Sequence, residues 1–179
     1  MAIPVVSVVV RIVMQLRSTC RRTYWTYAVR RRAGSCGDAL CVNMPSTVSR
    51  RTFLGSYVNF NGMQIRGGGI VKIGSYFHSG VECMMLTSFH NYDKGSRIPY
   101  GPREDDIHLD IEIGDFVWFG DRVIVLGGVK IGEGAVIQAG SVVVGDIPAM
   151  AIAGGHPAKV FKYRDREHFL TLKAKGMFL

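Results

Sequence analysis

The chain has 179 residues, 47% hydrophobic and 20% charged, so a single packed domain is feasible and global disorder is excluded. Its formal charge of +8 is uneven: residues 1–51 hold nine arginines and one acid, Asp38, whereas the remainder holds thirteen basic and thirteen acidic residues. A nucleic-acid reader carries its basic patch on the folded module, and here the bulk of the chain is neutral, which argues against that class.

Pro4–Arg32 reads as one or two helices, dense in Val and Arg, ending near Gly34. Its apolar start is cut by Arg11 well short of the run needed to span a bilayer. It also lacks the leading charge and cleavage site of a signal peptide. Two roles remain open for this basic segment. The main one is to cover the open end of whatever follows; the second is to rest on an anionic membrane surface, with Tyr24, Trp25 and Tyr27 at the interface. Cys20, Cys36, Cys41 and Cys83 form no CxxC pair and have no His at metal-ligand spacing. They are expected to be reduced, small buried side chains, with no zinc.

Beyond Gly34 an apolar residue recurs every six positions, at Val42, Val48, Leu54 and Phe60. The register slips by one through Gly67-Gly68-Gly69 and resumes at Ile73, Ser79 and Met85. The repeat then breaks over residues 86–112. An irregular excursion inside a repeat array points to function, because the array itself needs none. This one carries His90, His108, Pro99 and Pro102.

From Ile113 the chain divides without a gap into IGDFVW, FGDRVI, VLGGVK, IGEGAV, IQAGSV and VVGDIP. Each block opens with Ile, Phe or Val, and the fifth position is Val117, Val123, Val129, Ala135, Ser141 or Ile147. An α-helix cannot hold a period of six, since 3.6 residues per turn would smear these positions around the cylinder. A hairpin ladder would alternate with period two. Short strands and tight turns stacked into an all-β solenoid satisfy the pattern. The tail AIAGGHPAKVFK is followed by a short helix over Asp165–Lys175, expected to cap the last open coil. The expected division is therefore a basic helical segment over 1–34, a solenoid over 35–150 with the loop 86–112 inserted, and a tail with a capping helix over 151–179.

The stretches VNFNG (58–62), LTSFHNYDKGS (86–96), IGDFVWFG (113–120), IGEGAVIQAGSVV (131–143) and GDIPAMAIAGGHPAKVFK (145–162) carry a resemblance. From Val42 to Lys162 the chain resembles the hexapeptide-repeat acyltransferases, in the galactoside, maltose and xenobiotic O-acetyltransferase branch. The resemblance implies a left-handed parallel β-helix of three hexads per coil. It also implies a homotrimer with each active site between two subunits, and acetyl transfer from acetyl-CoA to a sugar hydroxyl, here expected to belong to a surface polysaccharide or its precursor. The expected location is cytoplasmic, with peripheral contact to the inner membrane.

Within that resemblance His90 matches the catalytic histidine, and imidazole suits a base that takes a hydroxyl proton near neutral pH. A carboxylate or a backbone carbonyl should fix its tautomer. His108 is the alternative base; His78 and His156 read as turn residues and His168 as part of the last helix. Asn59 matches the asparagine that holds the acceptor, with an asparagine ladder as the competing account. Trp118 matches a tryptophan near the acetyl end of the channel, with packing an equal alternative. The coenzyme set is Asp121, Ala139, Val144, Gly145, Lys159 and Lys162. The glycines 67–69 stand where galactoside enzymes carry an acid, which suggests a wider or differently hydrogen-bonded acceptor pocket. The rivals are amino-sugar N-acetylation on the same fold and a non-catalytic β-helix scaffold.

Overall fold

The computed structural model describes residues 3–178, with side chains from Ser7 onward. One helix, α1 (Ile3–Arg32), leads into three parallel sheets that wrap around a common core. The first face stacks Ser35–Cys36, Thr52–Leu54, Val71–Ile73, Ile111–Ile113 and Lys130–Ile131. The second stacks Cys41–Met44, Asn59–Asn61, His78–Val81, Trp118–Phe119, Val136–Ile137 and Ala151–Gly155, and the antiparallel strand Ala158–Tyr163 closes its edge. The third stacks Gln64–Arg66, Met84–Leu86, Ile124–Leu126 and Val142–Val143. The chain visits the faces in the same order in every coil, so the body is a three-sided prism.

The six-residue period is the period of inward side chains. Ile113, Phe119, Val125, Ile131, Ile137 and Val143 are all buried, and so are Val117, Val123, Val129, Ala135, Ser141 and Ile147. Phe60, Phe77 and Phe119 fill the middle coils edge to face, with centroids 6.0 and 5.0 Å apart. The irregularity between Phe60 and Ile73 has two parts. The buried sequence runs Phe60, Ile65, Ile73, so one residue is lost at the Asn61-Gly62 corner and two are gained at Gly67–Gly69. Across the large excursion all three faces jump together by forty residues, pairing Val71 with Ile111, His78 with Trp118 and Met84 with Ile124. The coil thus closes as though the loop were absent.

Corners demand left-handed backbone, and at one of them aromatic residues adopt it. Tyr57, Tyr76 and Phe116 have φ of 59°, 57° and 57°. That conformation costs roughly 1–2 kcal/mol for each L-residue. The three rings stack with centroids 4.7 and 4.9 Å apart, and Phe178 packs over the last two. Stacking of this kind returns about 0.5–1.5 kcal/mol per pair beyond area burial, so the ladder offsets much of the strain it sits on.

Both ends differ in detail from the sequence reading. The first helix is continuous, and only its last turns reach the body. Val29 and Ala33 are buried on the first coil, with Trp25 packed beside them, and Thr26 Oγ1 accepts the Val42 N–H at 3.0 Å. The terminal helix α2 (Arg166–Ala174), N-capped by Asp165, lies along a side corner. There Phe169 sits over Gly134 and Lys173 pairs with Glu133. The strand Ala158–Tyr163, not the helix, occupies the open edge of the last rung, because an unpaired ladder is better satisfied by another strand. Cys20 was expected inside but is exposed on α1, whereas Cys83 is buried; burial raises the thiol pKa of Cys83 and, less enclosed, of Cys36.

Candidate active site

The inserted loop begins where the third face ends and returns where the first face begins. It therefore sits on the corner between those faces, across the prism from the second face. Its neck is a short hairpin in which Ser88–Phe89 pairs antiparallel with Ile107–His108, Ser88 opposite His108. Below it Leu109 N–H donates to Thr87 O at 2.9 Å. Thr87 Oγ1 donates to Arg66 O and accepts from Gly69 N–H. Ser88 Oγ accepts from Gly68 N–H at 2.6 Å and lies 2.7 Å from His108 Nδ1. Because the hydroxyl already accepts one hydrogen bond, it can donate its own proton to the ring.

This neck explains the three glycines, and the wider pocket suggested by the sequence is not what they provide. A Cβ at Gly67 would lie 2.5 Å from both Thr87 Oγ1 and Ser88 Oγ, one at Gly68 would lie 2.9–3.1 Å from the His108 ring, and one at Gly69 would lie 2.4 Å from Leu109 O. The space is already filled by the loop's own base.

One rung further out the hairpin register sets residue 90 against residue 106. His90 Nδ1 stands 2.8 Å from Asp106 Oδ1, with the histidine side chain about half exposed and the aspartate largely enclosed. Tyr100 lies flat on the imidazole, centroids 4.1 Å apart and planes 8° from parallel. A carboxylate on Nδ1 assigns the ring proton to that nitrogen and leaves Nε2 with its lone pair, the arrangement of a general base held by an orienting acid. Beyond the pair the loop is pinned to itself: Gly101 N–H donates to Asn91 O and Lys94 N–H to Asn91 Oδ1. Asp106 and Tyr100 were not singled out from the sequence; the register of the neck is the signal that identifies the first of them. His108 belongs to the neck, one rung below His90.

The other predicted residues divide among three places. Val144 and Gly145 follow the strand Val142–Val143, two rungs along the same corner that carries the loop. A Cβ built on Gly145 meets nothing within 4 Å, and its backbone is not in the left-handed region, so the chain itself does not require glycine there. Asp121 and Ala139 occupy the corner between the second and third faces. The Asp121 carboxylate accepts Val81 N–H at 2.9 Å, as Asp110, Asp115 and Asp146 accept corner N–H groups elsewhere.

Asn59, His78 and Trp118 stand in one outward row of the second face, continued by Val136, Ile152 and Lys162. His78 is thus a strand residue and not a turn residue. Trp118 is 53% exposed, which removes core packing as its explanation. Lys162 lies three strand spacings from it, about 14 Å, and Lys159 is on the same terminal strand. Asn59 Oδ1 accepts from Asn61 Nδ2 at 3.2 Å, and Asn43 Nδ2 donates to Asn61 Oδ1, so an asparagine ladder is indeed present. His156 is in the turn between the last two strands, and His168 donates its N–H to the Asp165 cap. Within one chain the second-face row and His90 lie on opposite sides of the prism. Among the described residues no group of three or more His, Cys, Asp or Glu could hold a metal ion.

Comparison with known proteins bears on this arrangement. Residues 110–145 match the bacterial transferase hexapeptide (six repeats) model. A candidate acetyltransferase of Saccharomyces cerevisiae is 33% identical over 138 residues, 75% of this chain and 68% of that protein. One from Schizosaccharomyces pombe is 42% identical over 101 residues, 55% of this chain, which spans only 45% of that relative's length. Among solved structures, a hexapeptide-repeat acetyltransferase from Vibrio cholerae superposes with a TM-score of 0.68 at 28% identity, covering 78% of this chain and 80% of that one, and the Vibrio enzyme has also been solved with acetyl-coenzyme A. A maltose O-acetyltransferase from Clostridium difficile gives 0.67 at 26% identity, over 77% and 73%. With its six-residue repeats and its left-handed parallel β-helix in common with these proteins, the chain belongs to the hexapeptide-repeat acetyltransferase family.

Proposed function

We propose that this protein is an O-acetyltransferase that moves acetyl from acetyl-CoA to a sugar hydroxyl by direct transfer. The observation that carries the reading is the His90–Asp106 pair, 2.8 Å apart with the histidine side chain about half exposed, on the loop that interrupts the solenoid. In the reaction Nε2 takes the hydroxyl proton as the oxygen attacks the thioester carbonyl. The C–S bond then breaks, and the imidazolium returns the proton to the departing CoA thiolate. Asp106 stabilises the imidazolium in between.

Val144 and Gly145 line the path toward His90, and the open space at Gly145 lets the pantetheine arm approach the backbone. Lys159 and Lys162 meet the nucleotide phosphates as point charges, and Asp121 and Ala139 flank the arm. Asn59 and Trp118 receive the acceptor. Because the second-face row and the loop corner are opposite in one chain, the reading requires a second protomer at each site, and a homotrimer would join each protomer's loop to its partner's face. The acceptor is a sugar of a surface polysaccharide or its precursor, acetylated on the cytoplasmic side.

The test is CoA release from acetyl-CoA against a panel of sugar acceptors, with the purified product, freed of acetyl-CoA, exposed to hydroxylamine at alkaline pH. An ester is cleaved and an amide is not, so O-transfer is separated from N-transfer in one step. His90→Ala should lower kcat by about 10²–10⁴ while leaving acetyl-CoA binding nearly intact. Wild-type turnover in that variant would remove His90 from the mechanism, and absence of turnover with every acceptor would favour a scaffold.

A further inference from the structure

The amino-terminal helix is longer than capping requires. Only the stretch from Trp25 to Ala33 packs on the solenoid, and every residue from Ser7 to Tyr24 is exposed. Up to Tyr24 the helix extends roughly 30 Å along its axis. This projecting part is not polar. Val8, Val9, Val10, Ile12, Val13, Met14 and Leu16 are 42–62% exposed.

At 100° per residue, Val9, Ile12, Val13, Leu16, Cys20 and Tyr24 share one stripe with Thr23, while Ser7, Arg11, Gln15, Ser18 and Arg22 fall opposite together with Met14, and Val8, Val10, Arg17 and Arg21 lie on the flanks. No acid occurs before Asp38. Valine and isoleucine are mediocre helix formers, so an apolar stripe of this kind is stabilised by what covers it and little by its own propensity.

Charge decides the occupant. A second copy would cover the stripe but leave Arg11 and Arg22 outside it, and would crowd the flanking Arg17 and Arg21 with no carboxylate to pair them. A nucleic acid would neutralise the arginines but leave the valines in water. A lipid surface with anionic headgroups satisfies both halves, apolar below and negative at the level of the guanidinium groups. We propose that residues 7–24 form an interfacial helix that beds Val9, Ile12, Val13 and Leu16 into an anionic lipid surface and tethers the solenoid by its amino-terminal end. Tyr24 and Tyr27, 62% and 64% exposed, mark the level where the helix leaves the headgroups for the protein body.

The experiment is co-sedimentation of the full chain with vesicles of phosphatidylcholine alone and of phosphatidylcholine mixed with phosphatidylglycerol. Binding is expected only to the mixed vesicles, weakening as salt is added. Replacing Arg11, Arg17, Arg21 and Arg22 together by Gln, or Ile12 and Leu16 together by Asp, should weaken partitioning by at least about tenfold. The melting temperature of both variants and their turnover of a soluble acceptor should stay at wild-type values, which keeps this test separate from the acetyl-transfer reading. The proposal is overturned by failure to bind the mixed vesicles, by equal binding to neutral ones, or by undiminished binding of the Ile12→Asp/Leu16→Asp variant. Displacement from vesicles by a duplex oligonucleotide would reassign the surface to nucleic acid. A fall in sedimentation mass of the aspartate variant would reassign the stripe to contact between copies.

Discussion

Asp106 acts through His90, and its substitution separates orientation from binding. Asp106→Asn preserves shape and removes the charge that fixes the ring proton on Nδ1. It should lower kcat by roughly 10²–10⁴ and leave the KM for acetyl-CoA nearly unchanged; an effect confined to KM would make Asp106 a binding residue. Gly145 gives the complementary case. Nothing in the chain lies within 4 Å of a Cβ there, so Gly145→Ala should keep the melting temperature and raise the KM for acetyl-CoA. An unchanged KM would show that no ligand passes that point. His90 and His108 stood out as candidates in the sequence because they lie in the one long interruption of a repeat array, and the resemblance to the family put His90 first. Asp106 did not, since Asp93, Asp105 and Asp106 look alike until the pairing of Ser88 with His108 sets the register.

At the scale of elements the hexad ladder was readable residue by residue, because each inward position must be apolar or small to stack on its neighbours. The corners were less so. Nothing in the composition of Tyr57, Tyr76 and Phe116 announces left-handed backbone, which bulky residues avoid; only their stacking across coils makes the conformation tolerable. The glycines at 67–69 were visible as a slip in register, yet their purpose depends on side chains some twenty to forty residues away. Their contacts rank two substitutions. Gly69→Ala drives a Cβ toward a backbone oxygen at 2.4 Å, whereas Gly68→Ala meets the edge of an imidazole at 2.9–3.1 Å. The ring can move and the backbone cannot, so Gly69→Ala should lose more stability and more turnover than Gly68→Ala, by thermal melting and CoA release. The reverse order would mean that the His108–Ser88 contact, not the backbone beneath it, holds the neck in place.

For the whole molecule, the arginines and the exposed apolar side chains of residues 7–24 lie apart from the prism, and the two parts of α1 should respond differently to deletion. Removing residues 1–24 leaves Val29 and Ala33 on the first coil, and the protein should remain dispersed with nearly unchanged melting. Removing residues 1–33 strips Trp25, Val29 and Ala33 from the core, a loss on the order of 3–5 kcal/mol, and the melting temperature should fall by roughly 10 °C or the protein should aggregate. Equal stability of the two truncations would mean that the helix does not cap the solenoid at all. The sequence reading offered capping and membrane contact as alternatives for the segment; the structure divides the helix near Trp25, so that both accounts can hold for different turns.

The forty-residue jump shared by all three faces has a consequence for how such a molecule changes over time. Because Thr87 and Leu109 are joined by a backbone hydrogen bond, the excursion leaves and re-enters the wall at one point, and the stretch between behaves as a cassette plugged into a socket. Lengthening or replacing it adds only a closure entropy that grows slowly with length, and no inward side chain need adjust. The sequence and length of the cassette can therefore drift on their own, provided the replacement ends in a hairpin that fits over the three glycines, while the prism beneath stays under the separate demands of packing.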